Sequence, residues 1–445
     1  MRIIIAGAGE VGSHLAKMLS NDNHDIVVID SDEARLKKIE NLDIITLNGL
    51  ATSFNILKDA NVKKADLFIG VTSSEDTNIT SAIIAKKFGA IKTIARVDNK
   101  EFLYQINKTF FENLGIDYLI NPESIAVREL TNLVSQSTMI DAFDFSGGKL
   151  SLFAIKLEED SPIINRSLLE TSSDNSNLEY RAVAITRNGA TIIPRGNDKF
   201  QEDDIIYFIS NPGGIKDLMK FSGKESSPVR NIMILGGSRI GIDAASQLEN
   251  KYNVKLVESN KEKCFKLAGI ITNTLIINAD GRNIDLLIEE GLRNMDVFIA
   301  VTGNSEINIL SCLMAKQMGV NRTIAEIENI DYINIAENVG IDSIINKKLV
   351  TASRIFRFTR SAQVSDIKCL TGTDAEVLEF IAKPGSKITK NKLSEIDLPK
   401  DSIIGGIIRG NSSFIAVGNT TIQPNDRVVI FALPSAISKL EKYFN

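Results

Sequence analysis

Strand and helix patterns alternate along this chain, a glycine-rich loop joins the first strand to the first helix, and the whole pattern starts again halfway along. Together these predict an α/β chain of two Rossmann-like parallel-sheet nucleotide-binding lobes, each followed by a small α+β lobe. Strands alternating with helices at this spacing imply a parallel sheet with right-handed crossovers. In the first copy the predicted strands are 2–6, 25–30, 43–47, 66–71, 91–97 and 118–120. Helical spacing is read at 11–19, 53–58, 76–88 and 123–135.

The loop Gly7-Ala8-Gly9-Glu10-Val11-Gly12 follows the apolar run Ile3-Ile4-Ile5-Ala6 and opens an amphipathic helix. In this context the first glycine permits the tight turn and the second lets a pyrophosphate approach the backbone. The third lets helix and strand pack closely, so that phosphate sits on free helix N–H groups. Asp30 ends the next strand, Ile26-Val27-Val28-Ile29. An acid there accepts from ribose hydroxyls and repels a 2′-phosphate, favouring NAD(H) or another adenosine nucleotide over NADP(H). The turn Asn48-Gly49-Leu50-Ala51-Thr52 faces the adenine edge, and Val71-Thr72-Ser73-Ser74 ends the fourth strand at the crevice where open sheets bind ligands. Arg96 either supplies charge to a phosphate or sits in a structural ion pair.

Composition narrows the function. At 445 residues the chain exceeds one ordinary core and divides into several domains. A net charge of −5, with no block of Lys and Arg, gives no reason to expect a nucleic-acid partner. No apolar stretch is long enough for a membrane span, and the apolar start runs straight into glycines, unlike a signal peptide, so a cytoplasmic location is expected. Cys264, Cys312 and Cys369 lack C-x-x-C spacing, and His14 and His24 are the only histidines, with His14 expected to face solvent. Neither a zinc site nor a His-dependent triad can be assembled from that inventory. With no proton-handling group beside either loop, binding without chemistry is the simpler reading; the alternative is a soluble NAD-dependent oxidoreductase.

The duplication is legible residue by residue. Asn231-Ile232-Met233-Ile234-Leu235 leads into Gly236-Gly237-Ser238-Arg239-Ile240-Gly241, and Gly7 and Gly12 map on Gly236 and Gly241 at one offset. Asp66–Thr72 matches Asp296–Thr302, and Thr93-Ile94-Ala95-Arg96-Val97 matches Thr323-Ile324-Ala325-Glu326-Ile327. Gly115-Ile116-Asp117 recurs as Gly340-Ile341-Asp342, while Ile185-Thr186-Arg187 and Asp203-Asp204 recur around Ile408-Arg409 and Asn425-Asp426. The boundaries read from these matches are 1–138 and 230–362 for the nucleotide-binding domains, 139–222 and 363–445 for the small lobes, and 223–229 for a linker. The second copy departs at two places. Ser238 replaces the middle glycine and Glu326 replaces Arg96, although Glu258 keeps the acid and Asp280 the polar turn. A dinucleotide is expected to bind this half more weakly or not at all, and an Asp30→Ala change is expected to weaken binding more than Glu258→Ala.

The string GAGEVG, VVID, the Asp66–Thr72 strand, IARV and GIDYLINPE resembles the nucleotide-binding lobe of the RCK (regulator of potassium conductance) family. The segments 140–221 and 366–445 resemble its small C-terminal lobe, and two units in tandem are similar to the peripheral subunits of potassium transporters. The resemblance implies a cytoplasmic peripheral subunit, on the inner face of the cell membrane, that binds NAD(H) or, in some members, ATP or ADP. It also implies a homotetramer whose lobes form a ring beneath a membrane potassium-translocating subunit, gated by a ligand-dependent change of ring shape. Carried over, the cofactor positions are Gly7, Ala8, Gly9, Glu10, Val11, Asp30, Thr52, Thr72, Ser73 and Arg96. Their second-copy counterparts are Gly236, Gly237, Ser238, Arg239, Ile240, Glu258, Asp280 and Thr302. Leu50 stands where an aspartate is usual in the family. The small lobes are left as dimer contacts or as a second ligand site.

Overall fold

Because Ile3, Ile4 and Ile5 are β-branched and wholly buried, the first run forms a central strand covered on both faces. In the computed structural model this is β1 (Arg2–Ala6), followed by α1 (Glu10–Ser20), β2 (Asp25–Asp30), α2 (Glu33–Lys37), β3 (Ile45–Asn48), α3 (Phe54–Asp59), β4 (Leu67–Gly70), α4 (Glu75–Phe88), β5 (Lys92–Arg96), α5 (Gln105–Leu114), β6 (Tyr118–Ile120) and α6 (Pro122–Ser135). The structure describes residues 1–20, 24–135, 141–157, 159, 161–173, 179–188, 190–214, 229–359, 364–369 and 375–444. Gly189 and the linker stretch 223–228 lie outside them. The chain divides into two units, Met1–Ala126 with Lys347–Arg360, and Val127–Asn346 with Ser361–Asn445.

In the first unit the strands pair in parallel in the order β3-β2-β1-β4-β5-β6. The order reverses between β1 and β4, and that switch point places the loop after β1 beside the end of β4, where doubly wound sheets hold ligands. Below it, Ile4, Val27, Ile29, Leu57, Phe68, Ala95 and Phe111 form one buried core. Burying a side chain of the size of Phe68 stabilises a fold by about 1.5–3 kcal/mol. The helix Lys347–Phe356, from the end of the second copy, also belongs to this unit and packs on α1. The Tyr118 and Phe358 rings meet at 4.0 Å between centroids. On α5 only Phe111 is buried, while Ile106 and Phe110 are exposed. His14 is half-buried rather than solvent-facing, since the α1 face that carries it is partly covered. Burial, with Lys17 nearby, pushes its pKa down.

The second unit repeats the sheet in β12 (Asn231–Leu235), β13 (Asn253–Glu258), β14 (Leu275–Asn278), β15 (Val297–Ala300), β16 (Arg322–Glu326) and β17 (Ser343–Ile345), in the order β14-β13-β12-β15-β16-β17. It also holds both small lobes. The first is an antiparallel sheet of β7 (Asp141–Phe145), β8 (Leu150–Lys156), β9 (Tyr180–Arg187), β10 (Ala190–Ile192) and β11 (Ile205–Ser210), in the order β10-β9-β11-β8-β7. The other is built from β18 (Val364–Cys369), β19 (Glu376–Ile381), β20 (Ser402–Arg409), β21 (Ser412–Ile415) and β22 (Arg427–Ala432), whose order β18-β19-β22-β20-β21 is the same topology. One core joins them: Phe145, Leu150, Leu152 and Ile209 pack with Val377, Ile403, Val429 and Phe431.

Each small lobe carries the same fork. The Arg187 guanidinium donates to both oxygens of buried Asp204 at 2.7 Å, and Arg409 does the same to buried Asp426 at 2.9 and 2.7 Å. The Gln201 and Gln423 amides donate to the same carboxylates. Bidentate geometry makes these strong contacts, and the hydrogen bond to Asp204 pushes the Arg187 pKa up. Removing one partner strands a buried charge. Arg187→Met is therefore expected to lower unfolding stability of the small lobe by about 3–5 kcal/mol, measured by denaturant titration.

Candidate nucleotide-binding site

The three glycines of the first loop do three different things. Gly7 has a φ of +114°, and a Cβ there would stand 2.8 Å from the Thr72 amide nitrogen, so only glycine makes the turn off β1. A Cβ on Gly12 would lie 1.8 Å from the Gly7 carbonyl oxygen, so only glycine lets α1 start this close to the strand. A Cβ on Gly9 would meet nothing within 4 Å. Its glycine is therefore not demanded by the chain's own packing, which fits a backbone left bare for a ligand.

Asp30 arrives at this loop from the end of β2. Its buried carboxylate accepts from the Ala8 amide at 2.6 Å and from the Asp32 amide at 2.9 Å, with the Arg35 guanidinium 3.9 Å away. Thr72 closes the other side. Its amide and its hydroxyl both donate to Asn78 Oδ1 at 2.8 Å, and Asn78 Nδ2 donates to the Thr72 and Arg96 carbonyls at 3.1 and 3.0 Å. Buried Asn78 thus ties the ends of β4 and β5 to α4. The sequence reading passed it over, although an asparagine recurs at the matching position, Asn308, with the same four contacts around Thr302 and Glu326.

The structure therefore brings together Gly7, Ala8, Gly9, Gly12, Asp30 and Thr72. Glu10 and buried Val11 begin α1 behind the loop. Ser73 is exposed beside Thr72, and Thr52 is half-buried in the turn after β3, where Leu50 is exposed. The Arg96 guanidinium donates to Asp98 at 3.2 Å, the ion-pair alternative of the two read from sequence.

The second loop keeps the frame and fills the space. Gly236 (φ +108°) and Gly241 meet the same backbone obstacles as Gly7 and Gly12. Ser238, in the place of Gly9, caps helix α7 (Arg239–Leu248), with Ile240 buried behind it. The Ser238 hydroxyl accepts from the Gly241 amide at 3.2 Å and donates to the Val301 carbonyl at 2.6 Å. The Gly241 amide is thus satisfied by a side chain of the loop itself. Glu258 accepts from the Gly237 amide at 3.2 Å, and the Lys263 ammonium lies 2.8 Å from it. A Cβ on Gly237 would stand 2.8 Å from that carboxylate, so the longer acid is matched by a glycine where the first copy has Asp30 with Ala8. Burial alone would push the Glu258 carboxyl up, but Lys263 and the Asn260 and Gly237 amides together hold it below its ordinary range. Asp280 is likewise engaged: hydrogen bonds from the Arg282 side chain and amide pull it down to about 2. Glu326 is buried at the end of β16.

A second concavity lies between the small lobes. A cavity of about 410 Å³ is bordered by Leu168, Arg181, Arg195, Phe200 and Ala416 among others. Burial, with Arg195 adding repulsion, pushes the Arg181 pKa down, and its guanidinium donates to the Ala416 carbonyl at 2.6 Å. Within the chain the small lobes pack against each other and border this cavity. Among the described residues no cluster of His, Cys, Asp or Glu could hold a metal ion, and no helix is long and apolar enough to cross a membrane.

Comparison with known proteins follows the same repeat. The family model of the TrkA-N domain matches residues 3–122 and 232–347, and that of the TrkA-C domain matches 152–223 and 377–445. The chain belongs to the TrkA family. It is 34% identical to the Trk system potassium uptake protein TrkA homolog of Archaeoglobus fulgidus, with all of both chains covered. It is 31% identical to TrkA of Vibrio alginolyticus, covering all of this chain and 98% of that one. Family membership places it in potassium uptake. Among solved structures, the GsuK channel superposes with a TM-score of 0.62 at 17% identity, over 100% of this chain and 78% of that one. The crystal structure of the GsuK RCK domain gives 0.61 at 15% identity, covering 100% and 94%. A further GsuK structure at 0.60, with 15% identity over 100% of this chain and 78% of its own, is described as bound to NAD. These likenesses fix the fold as that of tandem RCK units.

Proposed function

We propose that this chain is the cytoplasmic nucleotide-binding regulatory subunit of a Trk-type potassium uptake system. In this reading it lies on the inner face of the membrane and controls a potassium-translocating subunit of the TrkH/TrkG type. One observation carries the proposal: the first loop is bare at Gly9 and backed by Asp30, while in the second Ser238 caps the helix and Lys263 engages Glu258. Two copies of a sensor lobe, only one of them left open, suit reporting a nucleotide better than transforming it. NAD(H) is the preferred ligand, since a ribose diol satisfies Asp30 and a 2′-phosphate would face it. ADP and ATP share the same adenosine and diphosphate contacts, and a related fold has been solved with ADP.

Assembly as a homotetrameric ring is supported by exposed apolar side chains around α5, where Tyr104, Ile106 and Phe110 are 62%, 81% and 58% exposed. Nucleotide acts by favouring one ring shape, by no more than its differential affinity for the two. The test is potassium flux into proteoliposomes carrying the membrane subunit, with the full-length protein and NADH, NAD⁺, ADP or ATP added singly. Saturable dependence of flux on nucleotide is expected. Binding without any change in flux, or hydride turnover of a co-substrate by the protein alone, would overturn the reading.

A further inference from the structure

Lys348 is the second residue of the helix Lys347–Phe356, which the second copy contributes to the first unit. Its ammonium pairs with the carboxylate of Glu10, the first residue of α1 and the neighbour of Gly9. The two side chains differ in freedom: 13% of Lys348 is exposed against 69% of Glu10. The ammonium is thus held by its surroundings beside the residue that follows Gly9, whereas the carboxylate can swing into solvent at little cost. A diphosphate on the bare Gly9 backbone would carry more charge and more acceptor atoms than the carboxylate it displaces.

We propose that Lys348 is a phosphate-binding residue of the first site, paired with Glu10 until the diphosphate of an adenosine nucleotide displaces that carboxylate. This rests on the first loop being a nucleotide site, and it makes that site incomplete without the second copy. The two positions change together between the copies: Arg239 stands where the first has Glu10, and Glu123 stands where the second has Lys348. At these two positions the signs of charge are exchanged between the copies.

The experiment is calorimetric titration of the full-length protein with adenosine, AMP, ADP and NADH. Lys348→Met is expected to weaken ADP and NADH by about tenfold or more, as for a lost hydrogen bond to a charged group, and to leave adenosine unchanged. Lys348→Arg is expected to restore most of that loss, and Glu10→Gln to tighten ADP by removing the competing carboxylate. Unchanged ADP affinity in Lys348→Met overturns the proposal while leaving the site itself intact. Equal weakening of adenosine and ADP also overturns it, because it marks a role in holding the helix alone. Wild-type protein that binds none of the four overturns the site and the proposal with it.

Discussion

Full-length protein carrying Asp30→Ala is expected to lose nucleotide affinity by about 10–100-fold, whereas Glu258→Ala is expected to leave it unchanged. The carboxylate of Asp30 holds the loop by the Ala8 amide, so its removal costs the loop's geometry and, on the proposed reading, the ribose partner as well. Glu258 occupies the corresponding strand end but is engaged by Lys263 and two backbone amides, and the loop above it is closed by Ser238. Calorimetric titration of both variants with NADH separates the two sites, and equal losses would sink the ranking.

A second large effect concerns the fold itself. Gly12→Ala would press a methyl group to within 1.8 Å of the Gly7 carbonyl oxygen, and backbone cannot yield there without moving α1 off the sheet. The expected cost exceeds about 4 kcal/mol, beyond the range of ordinary substitutions. Gly9→Ala is its control: with nothing within 4 Å it keeps the thermal stability of the parent, while its methyl obstructs the approach of phosphate to the backbone. Thermal unfolding and NADH titration of the two variants are thus expected to dissociate, one losing fold and the other losing ligand. A stable Gly12→Ala protein would refute the packing argument.

The parallel sheets were open to sequence reading because their strands are buried on both faces and read as unbroken β-branched runs, Ile3-Ile4-Ile5 and Ile26-Val27-Val28-Ile29 among them. The glycine loop was open to it because each glycine answers a backbone constraint, and those constraints recur at Gly236 and Gly241. What escaped was set by contacts far apart in the chain. On α5 the spacing of Ile106, Phe110, Phe111 and Leu114 is helical, but which of these the fold covers is set by distant contacts, and of them only Phe111 is buried. Asn78 looks like any polar helix residue until β4 and β5 are laid beside it. Lys348 sits at the place of Glu123 in the repeat, but nothing local tells that its helix packs on α1 of the other copy. The meaning of Ser238 is half legible: the loss of the middle glycine shows in the sequence, and the structure adds that the serine caps the helix and takes the Gly241 amide out of play.

The central claim is that the first copy alone senses nucleotide, and its most direct test is the binding stoichiometry of NADH on the full-length wild-type chain, read beside Asp30→Ala and Glu258→Ala. The account predicts saturation at one nucleotide per chain, lost in Asp30→Ala and retained in Glu258→Ala. Two equivalent sites per chain, or a single site that disappears with Glu258, would contradict it.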